Sequence, residues 1–514
     1  MPPFCWQCGA PPTPAPATAS PELRPLLGFD RLLTSNEVPL DSEIQSIRDF
    51  ISDGQNQVET LNSQIDNLEA AIALLTQKHD RMAEHVRQHC AILSPVRRVP
   101  SELVCEILAL SLSSDDEEPM NRPPWHLGHI CRFWRCTVLA YPALWSSIAI
   151  PSSSSGHSSF SMIETQLIRS ADSPLTVGWS PLNESALPDL HAADLVLAHS
   201  SRWRVLVLNL LHYEVELDWL RVAGGRLAVL ETLQVRSIDP LVKIPDIFSP
   251  APTLCKVLLA DWDFDFSPLV LQIPWAQITH YSGSFAVDSQ VKILEAAPNM
   301  VSCAIGFPDW VDSFEPDISV VLPCLRRLYI EMAGFLQCLR APLLQDLCCS
   351  YSESLDGRSE ILAFVRRSSC SLQTLVLMRC SIDSDLITIL GGLSSLTRLI
   401  IQDHIESDED SESQQIALFD ALATGLCPNL VFLAYGFGPY VAAVPLLAMA
   451  RSRFLLEPPS PRMIQLRLFR SSASFEACPR SIAVAIQIMR DDGLDIEFLA
   501  PAEANLLKGR DFFS

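Results

Sequence analysis

Apolar residues recur every seven positions over an early stretch of the chain. Ile44, Ile51, Val58, Ile65, Ile72, His79 and Val86 form one series. Ile47, Gly54, Leu61, Leu68, Leu75, Met82 and His89 form a second, offset by three. These are the a and d positions of a coiled coil, and no proline falls between Pro39 and Pro95 to break the helix. The pattern predicts a long helix over 41–92, with a seam of roughly 70 Å at 1.5 Å per residue. β-branched residues at a with Leu at d suit a parallel two-stranded coil. The stripe at 44–89 therefore has two ways to be covered: by a second copy of the chain as a homodimer, or by the same polypeptide. Gly54, His79 and His89 weaken both ends of the seam.

From about residue 200 the pattern changes. An apolar residue is followed at +3 and +5 by two more, in strand-like surroundings. The sites are Trp203/Leu206/Leu208, Leu230/Leu233/Val235, Leu254/Val257/Leu259, Ile278/Tyr281/Gly283, Met300/Cys303/Ile305 and Leu325/Leu328/Ile330. They continue as Leu344/Leu347/Cys349, Leu372/Leu375/Leu377, Leu396/Leu399/Ile401, Leu430/Leu433/Tyr435 and Met463/Leu466/Leu468. One triplet arises by chance in any half-buried strand. About eleven in series, with a mean period of about 26, lie in the leucine-rich-repeat range. Several units open with a proline turn and a polar residue, as in Pro298-Asn299-Met300 and Pro428-Asn429-Leu430. The asparagine that usually follows the strand is missing in nearly every unit, so the repeats are degenerate, and the triplet ending at Gly283 is the poorest.

The predicted organisation is a Pro-rich disordered leader at 1–40, the helix at 41–92, a compact module at 93–150, a linker and solenoid entry at 151–199, and repeats over 200–514. Pro11, Pro12, Pro14, Pro16 and Pro21 punctuate the leader, and PSSSSGHSS at 151–159 reads as the best domain boundary. The fold class is α/β: a long helix and a small all-α module, then a solenoid with a parallel sheet and helices on its outer face.

Composition narrows the function. The net charge of −23 in 514 residues argues against nucleic acid or an anionic membrane as partner. Sixteen cysteines are scattered through apolar stretches without disulfide-scaffold spacing, and the N-terminus lacks a secretory pattern. A reducing, intracellular compartment, cytoplasmic or nuclear, is expected. Residues 421–450 carry no charge, but Pro428, Gly436, Gly438, Pro439 and Pro445 interrupt them, which predicts a buried strand and helix, not a membrane span.

The segment 93–150 carries a resemblance. It opens LSPVRRVPSELVCEIL and closes PWHLGHICRFWRCTVLAYPALWSSIAI, with an acidic, proline-bearing loop at 113–124 between them. The first part resembles the start of an F-box, where a proline begins a helix of pattern P-x-E-L-x-x-x-I-L; Leu103, Ile107 and Leu108 are expected on one face, extended by Leu110. The second resembles the closing helices of that motif, with Ile130, Cys131, Arg132, Trp134 and Arg135 before Pro142, Leu144 and Trp145. An isoleucine-rich heptad helix running into this segment is similar to the large F-box family of mushroom-forming fungi, over 38–150. The resemblance implies that Pro100, Leu103, Ile107 and Trp134 help form the face that docks on the Skp-type adaptor of a cullin ubiquitin ligase. The repeats would then hold a protein substrate, whose identity the sequence does not give. The acidic insert at 115–118 is longer than the usual loop between these helices. The other reading is a coiled-coil and repeat scaffold outside the ubiquitin pathway, and a module this small needs a partner or neighbour for its apolar surface under either.

Other motifs weigh little. Cys5-x-x-Cys8 lacks a second pair to complete a zinc site, His85, His89 and Cys90 share a helix whose seam explains His89, and His126, His129 and Cys131 sit among Trp and Leu. No phosphate-binding glycine loop, dinucleotide fingerprint or nucleophile elbow occurs. No catalytic residue, metal or cofactor is expected, and the chain reads as a non-enzyme.

Overall fold

The computed structural model describes residues 30–112, 124–151, 158–180, 188–210, 217–237, 244–261, 271–307, 319–350, 359–403, 411–437, 442–455, 463, 465–470, 486–487, 490–491 and 493–499. Most of the Pro-rich leader, with Cys5 and Cys8, lies outside them. So do the acidic loop at 113–123, the linker at 152–157, and residues 262–270 and 404–410. The chain divides into two compact units, Met1–Pro100 and Ser101–Ser514.

The first unit is a short helix, α1 (Asp30–Thr34), and a long one, α2 (Asp41–Ile92), of 52 residues. At 1.5 Å per residue α2 is about 78 Å long. Its start is set by Glu43, whose carboxylate accepts the Leu40 N–H at 2.8 Å and pairs with Arg31 at 3.3 Å. Asp41 and Glu43 in the first turn and His89 in the last suit the helix dipole. The C-terminus closes with the Leu93 N–H on the Cys90 carbonyl at 3.1 Å, and Pro95 then opens a 3-10 turn, Pro95–Arg98. No residue of α2 is buried.

The second unit is built on one parallel sheet, with fourteen strands among the described residues, each hydrogen-bonded to its neighbours in chain order. Its register explains the triplets. The middle residues Leu206, Leu233, Val257, Tyr281, Cys303 and Leu328 stand side by side, and the row continues through Leu347, Leu375, Leu399, Leu433 and Leu466. The third residues form a second such row, from Leu208 to Leu468. The first residues, from Trp203 to Met463, are all buried beneath the strand entrances. Even the poorest triplet keeps register, because a side chain at Gly283 would collide with the Tyr281 and Phe285 rings. Helices such as Val287–Ala296, Ser359–Ser368, Ser411–Ala423 and Ala443–Phe454 pack on one face of the sheet around a continuous core. Elsewhere 3-10 turns such as Asp218–Ala223 and Ala333–Cys338 replace them. The result is mixed α/β and compatible with a solenoid.

The sheet also begins before residue 200. Strands Ser147–Ile150 and Leu175–Trp179 precede the series, with helices Ser158–Arg169 and Leu190–Ala198 beside them. The stretch expected to link the module to the repeats is therefore largely sheet and helix. Ile148 with Val177, and Ile150 with Trp179, extend the two core rows. Trp145/Ile148/Ile150 has the same +3/+5 spacing as the later triplets, while Leu175–Trp179 has Pro174 in the first place.

Two backbone devices repeat from strand to strand. At each entrance one carbonyl accepts two successive N–H groups of the next strand: Glu231 from Cys255 and Lys256, Cys255 from Thr279 and His280, Gln373 from Thr397 and Arg398. The polar residue just before a triplet then fastens the preceding turn. Gln277 donates to the Ala251 and Leu254 carbonyls at 2.7 and 2.9 Å, Asn299 to Ala276 at 2.7 Å, Ser395 to Leu372 at 2.7 Å and Asn429 to Ser394 at 2.8 Å. This ladder stands where the missing post-strand asparagine would otherwise tie repeats together. Gln277 and Asn299 make three such bonds, each worth about 1 kcal/mol, so Gln277→Ala with Asn299→Ala should lower unfolding free energy by roughly 3 kcal/mol. Urea titration monitored by tryptophan fluorescence measures this, and an unchanged midpoint would show that the ladder is ornamental.

The opposite face of the sheet has two halves. Towards the C-terminus Ala304, Tyr329, Cys348, Val376, Ile400, Phe432, Ala434 and Phe469 form a second buried apolar cluster. A side chain at Gly436 would strike the Phe469 ring. Towards the N-terminus the same face is half-buried and mixed, with Thr232, Gln234, Lys256, His280 and Ser282 beside Val205, Val207 and Leu258. Burial, and then the charges of Lys256 and Arg327, hold the His280 pKa below the ordinary imidazole value. His199 is lowered in the same way, by burial and then by Arg202. An imidazole whose pKa is depressed by folding stabilises the fold above its unfolded value of about 6.5, and that contribution is lost as pH falls through it. The melting temperature should therefore drop between pH 7.5 and 5.5, and His199→Asn with His280→Asn should shrink the drop in calorimetry.

The uncharged stretch at 421–450 contains the strand Phe432–Phe437 and the start of the helix Ala443–Phe454. Among the described residues no helix is long and apolar enough to cross a membrane.

Candidate docking face

The second unit opens with α3 (Ser101–Leu112), followed after the acidic loop by a 3-10 turn, Pro124–His129, and α4 (Arg132–Ala140). At 3.6 residues per turn, Val104 and Leu108 share one stripe of α3, and Leu103, Ile107 and Leu110 share the next. The first stripe packs inward: Val104 and Leu108 are each 1% exposed. The second does not: Leu103 is 56%, Ile107 49% and Leu110 70% exposed. Leu108, expected beside Leu103 and Ile107, thus belongs to the core, because α3 has two apolar stripes and only one is covered.

Cys131 caps α4, its Sγ accepting the Trp134 N–H at 3.4 Å. Thr137 and Val138 face inward, while Ile130, Phe133 and Leu139 are left exposed and Trp134 is half-buried. Helix α3 packs on α4, and α4 packs on both 3-10 turns, Pro124–His129 and Pro142–Trp145. Proline at the first position of the second turn aims Leu144 and Trp145 into the interior. The Trp145 indole N–H donates to the Val138 carbonyl at 2.8 Å, and its ring meets Trp125 edge-on at 4.9 Å. Arg169, from the first helix beside the sheet, lies over both indoles, at 4.4 Å from Trp145 and 4.8 Å from Trp125. That clasp fixes α3 and α4 to the sheet entrance.

Of the four residues singled out in the sequence, Leu103 and Ile107 share an uncovered face of α3 and Trp134 sits half-buried on α4. Pro100 is exposed and closes the first unit, apart from the others in unit assignment. Phe133 and Leu139 were missed. The signal for them is that α4 is short and buries only Thr137 and Val138, which leaves its larger apolar side chains outside.

Arginines beside the repeat strands differ in their surroundings. Arg326 is exposed, and Arg327 lies in the same register row as Lys256 and His280. Arg398 stacks on the Phe432 ring at 4.3 Å. Buried polar groups pin strand ends: Gln290 donates to the Gly283 and Gly306 carbonyls and accepts from Tyr281, and Gln415 donates to Asp403. Burial raises the thiol pKa of Cys427 to about 11 and drives those of Cys303, Cys348 and Cys349 well above the usual range, so these are apolar fillers. Among the described residues no His, Cys, Asp or Glu cluster is arranged to hold a metal.

No protein-family model matches this chain, and no curated protein matches it.

Proposed function

We propose that the chain is an F-box-type substrate adaptor: α3 and α4 dock on a Skp-type adaptor of a cullin ubiquitin ligase, and the sheet unit, read as degenerate leucine-rich repeats, holds a protein substrate. One observation carries the proposal. Leu103, Ile107 and Leu110 line an uncovered face of α3 although the neighbouring Val104 and Leu108 are sealed. A helix that hides one stripe and leaves the next bare presents a surface for another protein. The repeat reading is supported by eleven triplets that fall into register. Holding substrate near a partner enzyme raises effective concentration, so the chain itself needs no catalytic group. The full chain, mixed with a purified Skp-type adaptor at micromolar concentration, should elute as a complex of summed mass. Separate elution would leave the scaffold reading.

A further inference from the structure

We propose that α2 joins two copies of this chain in a parallel, in-register coiled coil. The proposal does not rest on the docking reading of α3 and α4. Its starting point is that none of the 52 residues of α2 is buried: Ile44 and Ile47 are half-buried, and the apolar seam residues from Ile51 to Val86 are about half exposed or more. A seam about 65 Å long on a helix about 10 Å wide offers on the order of 650 Å² per helix, close to the ≈ 800 Å² per partner of a standard stable interface.

The pattern states what should cover it. A strict seven-residue repeat matches another helix supercoiled with the same period. Five consecutive a positions are β-branched (Ile44, Ile51, Val58, Ile65, Ile72), and Leu61, Leu68 and Leu75 occupy d, the combination that favours two parallel strands. The flanking positions then decide between a second copy and a different chain. In a parallel pair each g residue faces the e residue five further along its partner. The pairs are Glu43/Arg48, Phe50/Gln55, Gln57/Asn62, Gln64/Glu69, Ala71/Thr76, Lys78/Ala83 and His85/Cys90. Glu43 and Arg48 attract, and they do so twice by symmetry. No pair joins like formal charges. Of the fourteen e and g positions only Glu43, Arg48, Glu69 and Lys78 carry a formal charge. A seam meant for another partner excludes itself by like charges at these positions, and this one does not.

Sedimentation equilibrium of the full chain should give about twice its 56.9 kDa. Leu61→Asp with Leu68→Asp, both at d, should return the mass of one chain. Ser63→Asp with Asn67→Asp, on the outer face, should leave the doubled mass. A single-chain mass for the unaltered protein, or a doubled mass for the seam variant, overturns the proposal. Direction is read from Ile47→Cys after mild oxidation and peptide mapping. A 47-to-47 disulfide supports the parallel arrangement, and a disulfide between position 47 and Cys90 overturns it. The seam variant should still capture the adaptor, so failure of dimerisation and failure of the docking reading are separable.

Discussion

Leu103→Asp with Ile107→Asp is expected to abolish capture of the Skp-type adaptor while leaving the fold intact. Both side chains are about half exposed, so the charges enter water and stability should change by no more than about 0.5 kcal/mol at each site. At an interface the same change removes two apolar anchors and buries two unpaired carboxylates. Loss of hot-spot anchors at roughly 2 kcal/mol each would weaken binding by about a thousandfold. The neighbouring Leu108→Ala supplies the opposite control. Leu108 is sealed in the core, so its truncation should cost about 2–5 kcal/mol of stability. Calorimetry and adaptor titration by interferometry read the two quantities separately. Equal adaptor affinity for the unaltered chain and the double aspartate variant would sink the docking assignment.

Trp145→Ala should give the largest loss of structure. The residue is 1% exposed, donates its indole N–H to Val138, meets Trp125 edge-on and lies beneath Arg169. Truncating a buried Trp costs about 3–5 kcal/mol. In a stack whose repeats contact mainly their neighbours, that loss is felt locally first. Amide exchange should accelerate across α3, α4 and the turn Pro142–Trp145, while the strands from Thr232 onward keep their protection. Exchange that accelerates equally everywhere would mean that these helices and the sheet unfold as one body.

The repeat spacing was legible because two forces wrote it together. Each triplet residue faces the core, and each core row must align with the row before it, so the +3/+5 pattern and the register are one constraint. What was missed lay where the pattern was not sought or was broken. The strand Ser147–Ile150 carries the spacing in Trp145/Ile148/Ile150 but falls in the segment read as an all-α module, and Leu175–Trp179 has Pro174 in the first place of its triplet. The two stripes of α3 look alike in sequence, and only the partners of Val104 and Leu108 distinguish them. The inter-repeat ladder was visible as Asn299 and Asn429, yet Gln277 and Ser395 perform the same task with different side chains. Chemistry, there, is preserved where residue type is not.

The doubled burial of the C-terminal strands has an evolutionary consequence. At Tyr329, Val376, Ile400 and Phe432 a change is judged by packing within the second apolar cluster, so those positions have little liberty to drift. Thr232, Gln234, Lys256, His280 and Ser282 are fastened on one side only. New contacts can be written at those five residues without loss of the fold.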